Sequence, residues 1–149
     1  MMARPGRPAW TAPIHLTPRI LSATVMPILN IQIMQGHSAD QKTTLLKAAS
    51  NAVCESIAAP LPSVRIVLEE VAPAHVIVAG EVGKSMALVD VALIEGRTDD
   101  LKEALIGALN RAVCDSIGIS GADVRVVITD VPKINMGVAN GVSAKAAGR

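Results

Sequence analysis

Residues 26–38, MPILNIQIMQGHS, decide the fold. Leu29, Ile31 and Ile33 alternate with Asn30 and Gln32, the period-two signature of a strand with one apolar and one polar face. Gly36 breaks the alternation, and Ser38 followed three residues on by Gln41 makes a capping box, so a helix starts there. Leu45, Ala48, Ala49, Ala52, Val53 and Ile57 recur at three- and four-residue steps and give that helix one apolar stripe. Pro60 and Pro62 end it, and the β-branched run VRIVL at 64–68 supplies a second strand. Strand, helix and strand within one sheet require a right-handed crossover and a parallel pair.

Setting each residue above the one sixty positions later aligns the chain with itself from Met26 to Val82 without a gap. AVCESI at 52–57 meets AVCDSI at 112–117, and VRIVLEEV at 64–71 meets VRVVITDV at 124–131. The chain is a tandem duplication of a unit of about sixty residues. Thr98, with Asp99 and Asp100 behind it, caps the second helix; Leu105, Ala108, Leu109, Ala112, Val113 and Ile117 form its stripe, and Gly118 and Gly121 end it. The organisation is a leader at 1–25, a first β-α-β unit at 26–85 and a second, with a C-terminal tail, at 86–149, the two units sharing one domain. The fold class is α/β (α+β): two tandem units, joined by EVGKS at 81–85, form one four-stranded sheet with both helices on one face. The second strands read as apolar on both sides apart from Arg65 and Arg125, the pattern of a doubly covered strand. A chain this small has nothing left for the helix-free face, so that face predicts an obligate oligomer of closed symmetry.

At 149 residues the chain fits a single compact domain. Trp10 is its only aromatic residue, so the core must be built from Val, Ile, Leu, Ala and Met. A net charge of +1 with acids and bases interspersed gives no basic field for nucleic acid phosphates. Apolar runs such as VAPAHVIVAG at 71–80 fall short of the roughly 18 residues a membrane helix needs. Neither nucleic acid nor membrane is an expected partner. Cys54 and Cys114 form no C-x-x-C pair and lie on the apolar sides of the helices, as buried thiols in a reducing, cytoplasmic setting do. With no Ser/His/Asp arrangement, no G-x-G-x-x-G and no phosphate loop, the chemistry-bearing candidates are Pro27, Arg65, Arg97, Arg125 and the three histidines. Each has a plainer use: Pro27 as the start of an edge strand, the arginines as edge or turn charges, His37 and His75 as surface turn residues.

Met-Pro at the head of the strand, the QGHS and EGRT turns at 35–38 and 95–98, and APLPSVRIVL at 59–68 together resemble the 4-oxalocrotonate tautomerase family. The doubled arrangement is similar to its fused members, and the likeness covers residues 26 to about 142. It implies that the methionine before the proline is removed and that the N-terminal proline is the catalytic base. It also implies arginines that bind carboxylate and polarise the substrate carbonyl, and no cofactor. The implied chemistry is sound: a secondary amine among guanidinium groups in an apolar pocket resists protonation and can act as a neutral base near pH 7.

On that resemblance the sixty-residue offset becomes informative. Ala87 stands opposite Pro27 and His37 opposite Arg97, so one unit furnishes the base and the other the turn arginine. Family membership implies that Pro27 faces Arg97 of its own chain, with Arg65 or Arg125 arriving from the next chain. Where the family carries an aromatic wall near the base, this chain has Met136, with Val76 in the other unit; a softer pocket for small carboxylated enols follows. Three copies of a doubled unit reproduce the six-unit assembly of single-unit members, so a homotrimer is expected. The leader holds Arg4, Arg7, Arg19, four prolines and no acid, and its composition predicts disorder or absence from the mature chain. While it stays attached, Pro27 is an amide with no basic lone pair. The alternative function is then a non-catalytic scaffold or small-ligand-binding protein of the same fold.

Overall fold

The computed structural model describes residues 26–149; the leader, and with it the expectation of its disorder or removal, lies outside the described residues. The first unit comprises β1 (Ile28–Met34), α1 (Ala39–Ile57) and β2 (Arg65–Val71). A small hairpin follows, β3 (Ile77–Val78) with β4 (Glu81–Val82), so part of the expected linker is itself paired. The second unit comprises β5 (Ala87–Ile94), α2 (Asp99–Ile117) and β6 (Val124–Val131).

Local chemistry sets the helix ends. The Ser38 hydroxyl accepts from the Gln41 N–H at 3.1 Å while the Gln41 side chain accepts from the Ser38 N–H at 2.9 Å, both halves of the capping box. Thr98 caps α2 by accepting from the Leu101 N–H at 3.3 Å. At the other ends the backbone turns left-handed, at Ala58 (φ 53°) after α1 and at Gly118 (φ 70°) after α2. The first helix therefore stops before Pro60 is reached.

The four-stranded sheet has the order β2-β1-β5-β6, with β1/β2 and β5/β6 parallel and β1/β5 antiparallel. Asn30 pairs with Asp90, its own counterpart in the repeat, so the approximate two-fold axis relating the units passes between them. Each helix runs against the strands of its own unit, which makes α1 and α2 antiparallel neighbours on one face of the sheet. Leu29, Ile31, Ile33, Val89, Val91 and Leu93 from the central strands meet Leu45, Val53, Leu105, Leu109 and Val113 from the helices, all essentially inaccessible to solvent. This is the aromatic-free core that composition requires. Lys42 with Glu70, and Lys102 with Asp130 at 2.6 Å, tie the start of each helix to the end of its second strand. Both pairs are partly exposed and stabilise modestly.

The helix-free face departs from the reading of β2 and β6 as apolar on both sides. Its rows across the sheet are Arg65–Ile28–Ala92–Thr129, Val67–Asn30–Asp90–Val127 and Glu69–Gln32–Leu88–Arg125. Polar and apolar residues mix along it because β2 contributes Arg65 and Glu69 and β6 contributes Arg125 and Thr129. Nor is it wholly uncovered. Residues 75–78 lie over one end, beside Met86 and Leu88, and Met136, Val138 and Ala144 cover the other, beside Ile94 and Ala92. Ile28, Val67, Leu88 and Val127 stay 40–54% exposed between these roofs.

The two helix ends make a matched pair of tests. Nothing lies within 4 Å of a side chain built at Gly118, so the cost there is purely conformational. Ala58→Gly should stabilise the fold by roughly 0.5–1 kcal/mol, and Gly118→Ala should destabilise it by a similar amount. Urea unfolding of both variants checks the pair.

Candidate active site

The antiparallel register sets the head of β1 against the tail of β5, and conversely. Pro27 is buried at the first of these ends, and its carbonyl accepts the Arg65 N–H at 3.0 Å. Lacking an N–H, proline costs no ladder bond at the first position of a strand. Met26, just before it, packs against Ile94, Met136 and Ala144. Beyond Ile94 the chain turns at Gly96, whose φ of 117° only glycine adopts readily, and delivers the half-buried Arg97 just ahead of α2.

Arg65 opens β2, and its Nη1 donates to the carbonyls of Pro62 (2.7 Å) and Val64 (3.1 Å). It lines a cleft of about 240 Å³ together with Met26, Pro62, Ser63 and Arg149. Pro27, Arg65, Arg97 and Met136 thus share one end of the sheet. Arg125 belongs to the other. Opening into β6 after the same kind of turn, it donates to Ala122 (2.7 Å) and Val124 (3.0 Å) and stands beside Leu88, next to the buried Ala87. His37 follows Gly36 at that same end, and a cleft of about 440 Å³ there is lined by Gln32, His75, Val76, Met86 and Leu88. Within the chain, Arg65 is the strand arginine beside Pro27; Arg125 reaches a Pro27 site only by way of a neighbouring chain.

The two ends also differ in charge. Near Ala87, Gln32 donates to Glu69 at 3.1 Å; the corresponding pair near Pro27 is Ala92 and Thr129. A carboxylate therefore stands in the row beside Ala87 and is missing from the matching row beside Pro27. An apolar wall of Ile94 and Met136, two or more guanidinium groups and no acid in that row suit the Pro27 end to a small organic anion. Among the described residues no group of His, Cys, Asp and Glu could hold a metal ion.

Arg149 escaped the sequence reading. It lies beyond the repeat, so no offset partner flags it, and its backbone N–H donates to the Ala144 carbonyl at 3.0 Å. That bond folds the tail back until its guanidinium stands 3.8 Å from the Met26 sulfur. The only available signal was a pair of cations, Lys145 and Arg149, in SAKAAGR at 143–149.

Comparison with known proteins fits this layout. The family model for the tautomerase enzymes matches twice, at residues 27–85 and 88–146. A 2-hydroxymuconate tautomerase from Comamonas testosteroni is 45% identical over 64 residues, which are 43% of this chain and the whole of that protein. A probable tautomerase from Ralstonia nicotianae is 48% identical over 62 residues, 42% of this chain and 87% of that one. Among solved structures, a fused 4-OT seen as a symmetric trimer is 65% identical, with a TM-score of 0.81 over 82% of this chain and 99% of its own. A second, inactivated by 2-oxo-3-pentynoate, is 43% identical with the same TM-score and coverage. Duplicated units, a shared sheet and this extent of similarity make the chain a member of the tautomerase family, of the fused kind that carries two units in one polypeptide.

Proposed function

We propose that the protein is a cofactor-independent tautomerase that ketonises small 2-hydroxydienoate or 2-oxo acids, with the secondary amine of Pro27 as general base once residues 1–26 are removed. The observation that carries this reading is the gathering of Pro27, Arg65, Arg97 and Met136 at one end of the sheet, while Ala87 and His37 occupy the equivalent places at the other. Three findings support it. The first family match begins at Pro27 itself. Relatives are named for 2-hydroxymuconate, a carboxylated enol. A related protein is inactivated by 2-oxo-3-pentynoate, a small 2-oxo acid.

The chemistry follows from the arrangement. The neutral amine takes the proton of the substrate's 2-hydroxyl; the O–H electrons become the carbonyl π bond, the diene electrons shift along the chain, and a carbon takes the proton back from the prolinium. Guanidinium forks hold the carboxylate and stabilise the negative charge of the dienolate as it develops. Nearby cations and the Met136–Ile94 wall disfavour the protonated amine, so the base stays neutral at working pH. A fused relative is a symmetric trimer, and we extend that assembly to this chain, with the exposed middle of the helix-free face, Ile28, Val67, Leu88 and Val127, as the surface the copies share.

In a 2-hydroxymuconate ketonisation assay on chains starting at Pro27, Pro27→Ala should lower kcat/KM by about 100-fold or more. Equal rates would remove the proline from the mechanism. The parent activity should fall as pH is lowered and the amine takes up a proton, and intact-mass analysis of protein from its own cells should find a chain starting at Pro27. Arg65→Ala and Arg125→Ala, compared in the same assay, identify the strand arginine: the one serving the site should cost on the order of 10- to 1,000-fold and the other less than about threefold.

A further inference from the structure

We infer that the Ala87 end of the sheet holds a second, non-catalytic binding site, for a small uncharged molecule with an apolar body and one hydroxyl or amide group; the inference stands whether or not Pro27 proves to be the base. Ala87 is fully buried within the chain, so its nitrogen is an amide and offers no basic lone pair. The end is nevertheless concave. A cleft of about 440 Å³ lies between Gln32 and Leu88 on the sheet and His75, Val76 and Ile77 over it, with the buried Met86 beside them. Clefts that hold small molecules run from about 300 to 1,000 Å³ and are mostly apolar, with a few polar groups that fix orientation. The cover is built by backbone bonds: the His75 N–H donates to the Ala72 carbonyl at 2.9 Å, the Gly83 N–H donates to the Val76 carbonyl at 2.8 Å, and Ile77 and Val78 pair with Val82 and Glu81. Sixty positions on, Met136 stands in place of Val76 and is buried beside Ala144, so a longer side chain and the C-terminal tail fill space at the Pro27 end that the shorter valine leaves here.

The lining selects the ligand. Gln32 supplies the polar contact: its Nε2 donates to Glu69 at 3.1 Å, which fixes the sense of the amide and keeps its carbonyl oxygen as an acceptor for an O–H or N–H. Among the described residues no lysine, arginine, aspartate or glutamate lines the cleft. Glu69 stands one strand outward from Gln32 and Arg125 one strand outward from Leu88, opposite charges on opposite sides whose effects on an ion between them oppose each other. Arg125 is moreover engaged by the carbonyls of Ala122 and Val124. An ion entering would give up hydration without meeting a charged partner. An uncharged ring escapes that cost and finds the Met86 thioether, a favourable neighbour for an aromatic group. Leu88 belongs as well to the surface proposed to be shared between copies, so a neighbouring chain is the rival occupant.

Methionine methyl groups report on both ends at once, Met86 at this one and Met136 at the Pro27 end. The full chain, labelled with carbon-13 at those methyls, is titrated with phenol at mildly alkaline pH, where free imidazole carries no charge. The Met86 signal should shift saturably while the Met136 signal stays nearly still. Benzoate, the same ring with a negative charge, should act on Met86 at least about tenfold more weakly. Val76→Met, which places the other end's side chain over the cleft, should abolish the Met86 response. Gln32→Ala should weaken phenol about fivefold, the loss expected for one hydrogen bond, and decides alone should the larger side chain disturb the fold. The inference is overturned by the absence of a saturable Met86 shift, by an equal response at Met136, by benzoate acting as strongly as phenol, or by phenol binding unchanged in Gln32→Ala. A Met86 signal that moves with protein dilution and not with phenol assigns the cleft to a second copy and overturns it too.

Discussion

Everything in this structure depends on the antiparallel pairing of β1 with β5. Asn30 opposite Asp90 sets the register, and from it follows the position of every other group. A slip of one residue along β1 would move Leu29, Ile31 and Ile33 from the helix side of the sheet to the open side. The core therefore locks the register, and the register in turn puts Pro27 at the end where β5 delivers Arg97. Hydrophobic burial and site geometry are here one constraint. The helices contribute the apolar cover, and their alanines at 49, 52 and 112 let them lie close to each other and to the sheet.

The two copies of the unit differ at most of their aligned positions, and the exchanges that change the candidate site lie at the sheet ends. One end holds Pro27, Arg97 and Met136, the other Ala87, His37 and Val76. Glu69 and Gln32 stand near one end of the helix-free face where Thr129 and Ala92 stand near the other. Apart from Ala87, the residues named in these exchanges lie outside the main core, whose members are all apolar. Charge and shape at the ends vary freely because the layers between are indifferent to them. The result is a nearly symmetric frame whose two ends, at opposite edges of the same strands, carry different side chains.

Much of this was legible beforehand because it is periodic. Alternation in PILNIQIM, the stripe of Leu45, Ala49, Ala52, Val53 and Ile57, and the caps at Ser38 and Thr98 each state a local structure that the tertiary fold then keeps. Self-alignment located the asymmetry between Pro27 and Ala87. What escaped is aperiodic. Segments 72–82 and 132–149 are short turns, bridges and a two-residue-strand hairpin, held by backbone bonds that leave no pattern in side-chain type. Their roofing of the sheet ends is why the open face is less bare than the strands suggested, and why Arg149 came to light only in three dimensions. Ala58 in the left-handed region is a similar case, since nothing in its identity marks a position that glycine fills in the second unit.

The join between the units, through the β3–β4 hairpin and on into β5, has a kinetic consequence. Were the two units separate polypeptides, they would have to meet before Pro27 and Arg97 came to the same end of one sheet, and dilution could part them. Here the meeting is intramolecular, governed by a tether rather than by protein concentration. Pro27 and Arg97 stay together at any dilution that leaves the fold intact, and every molecule pairs one unlike half with the other, so no mismatched pair of like halves need ever form.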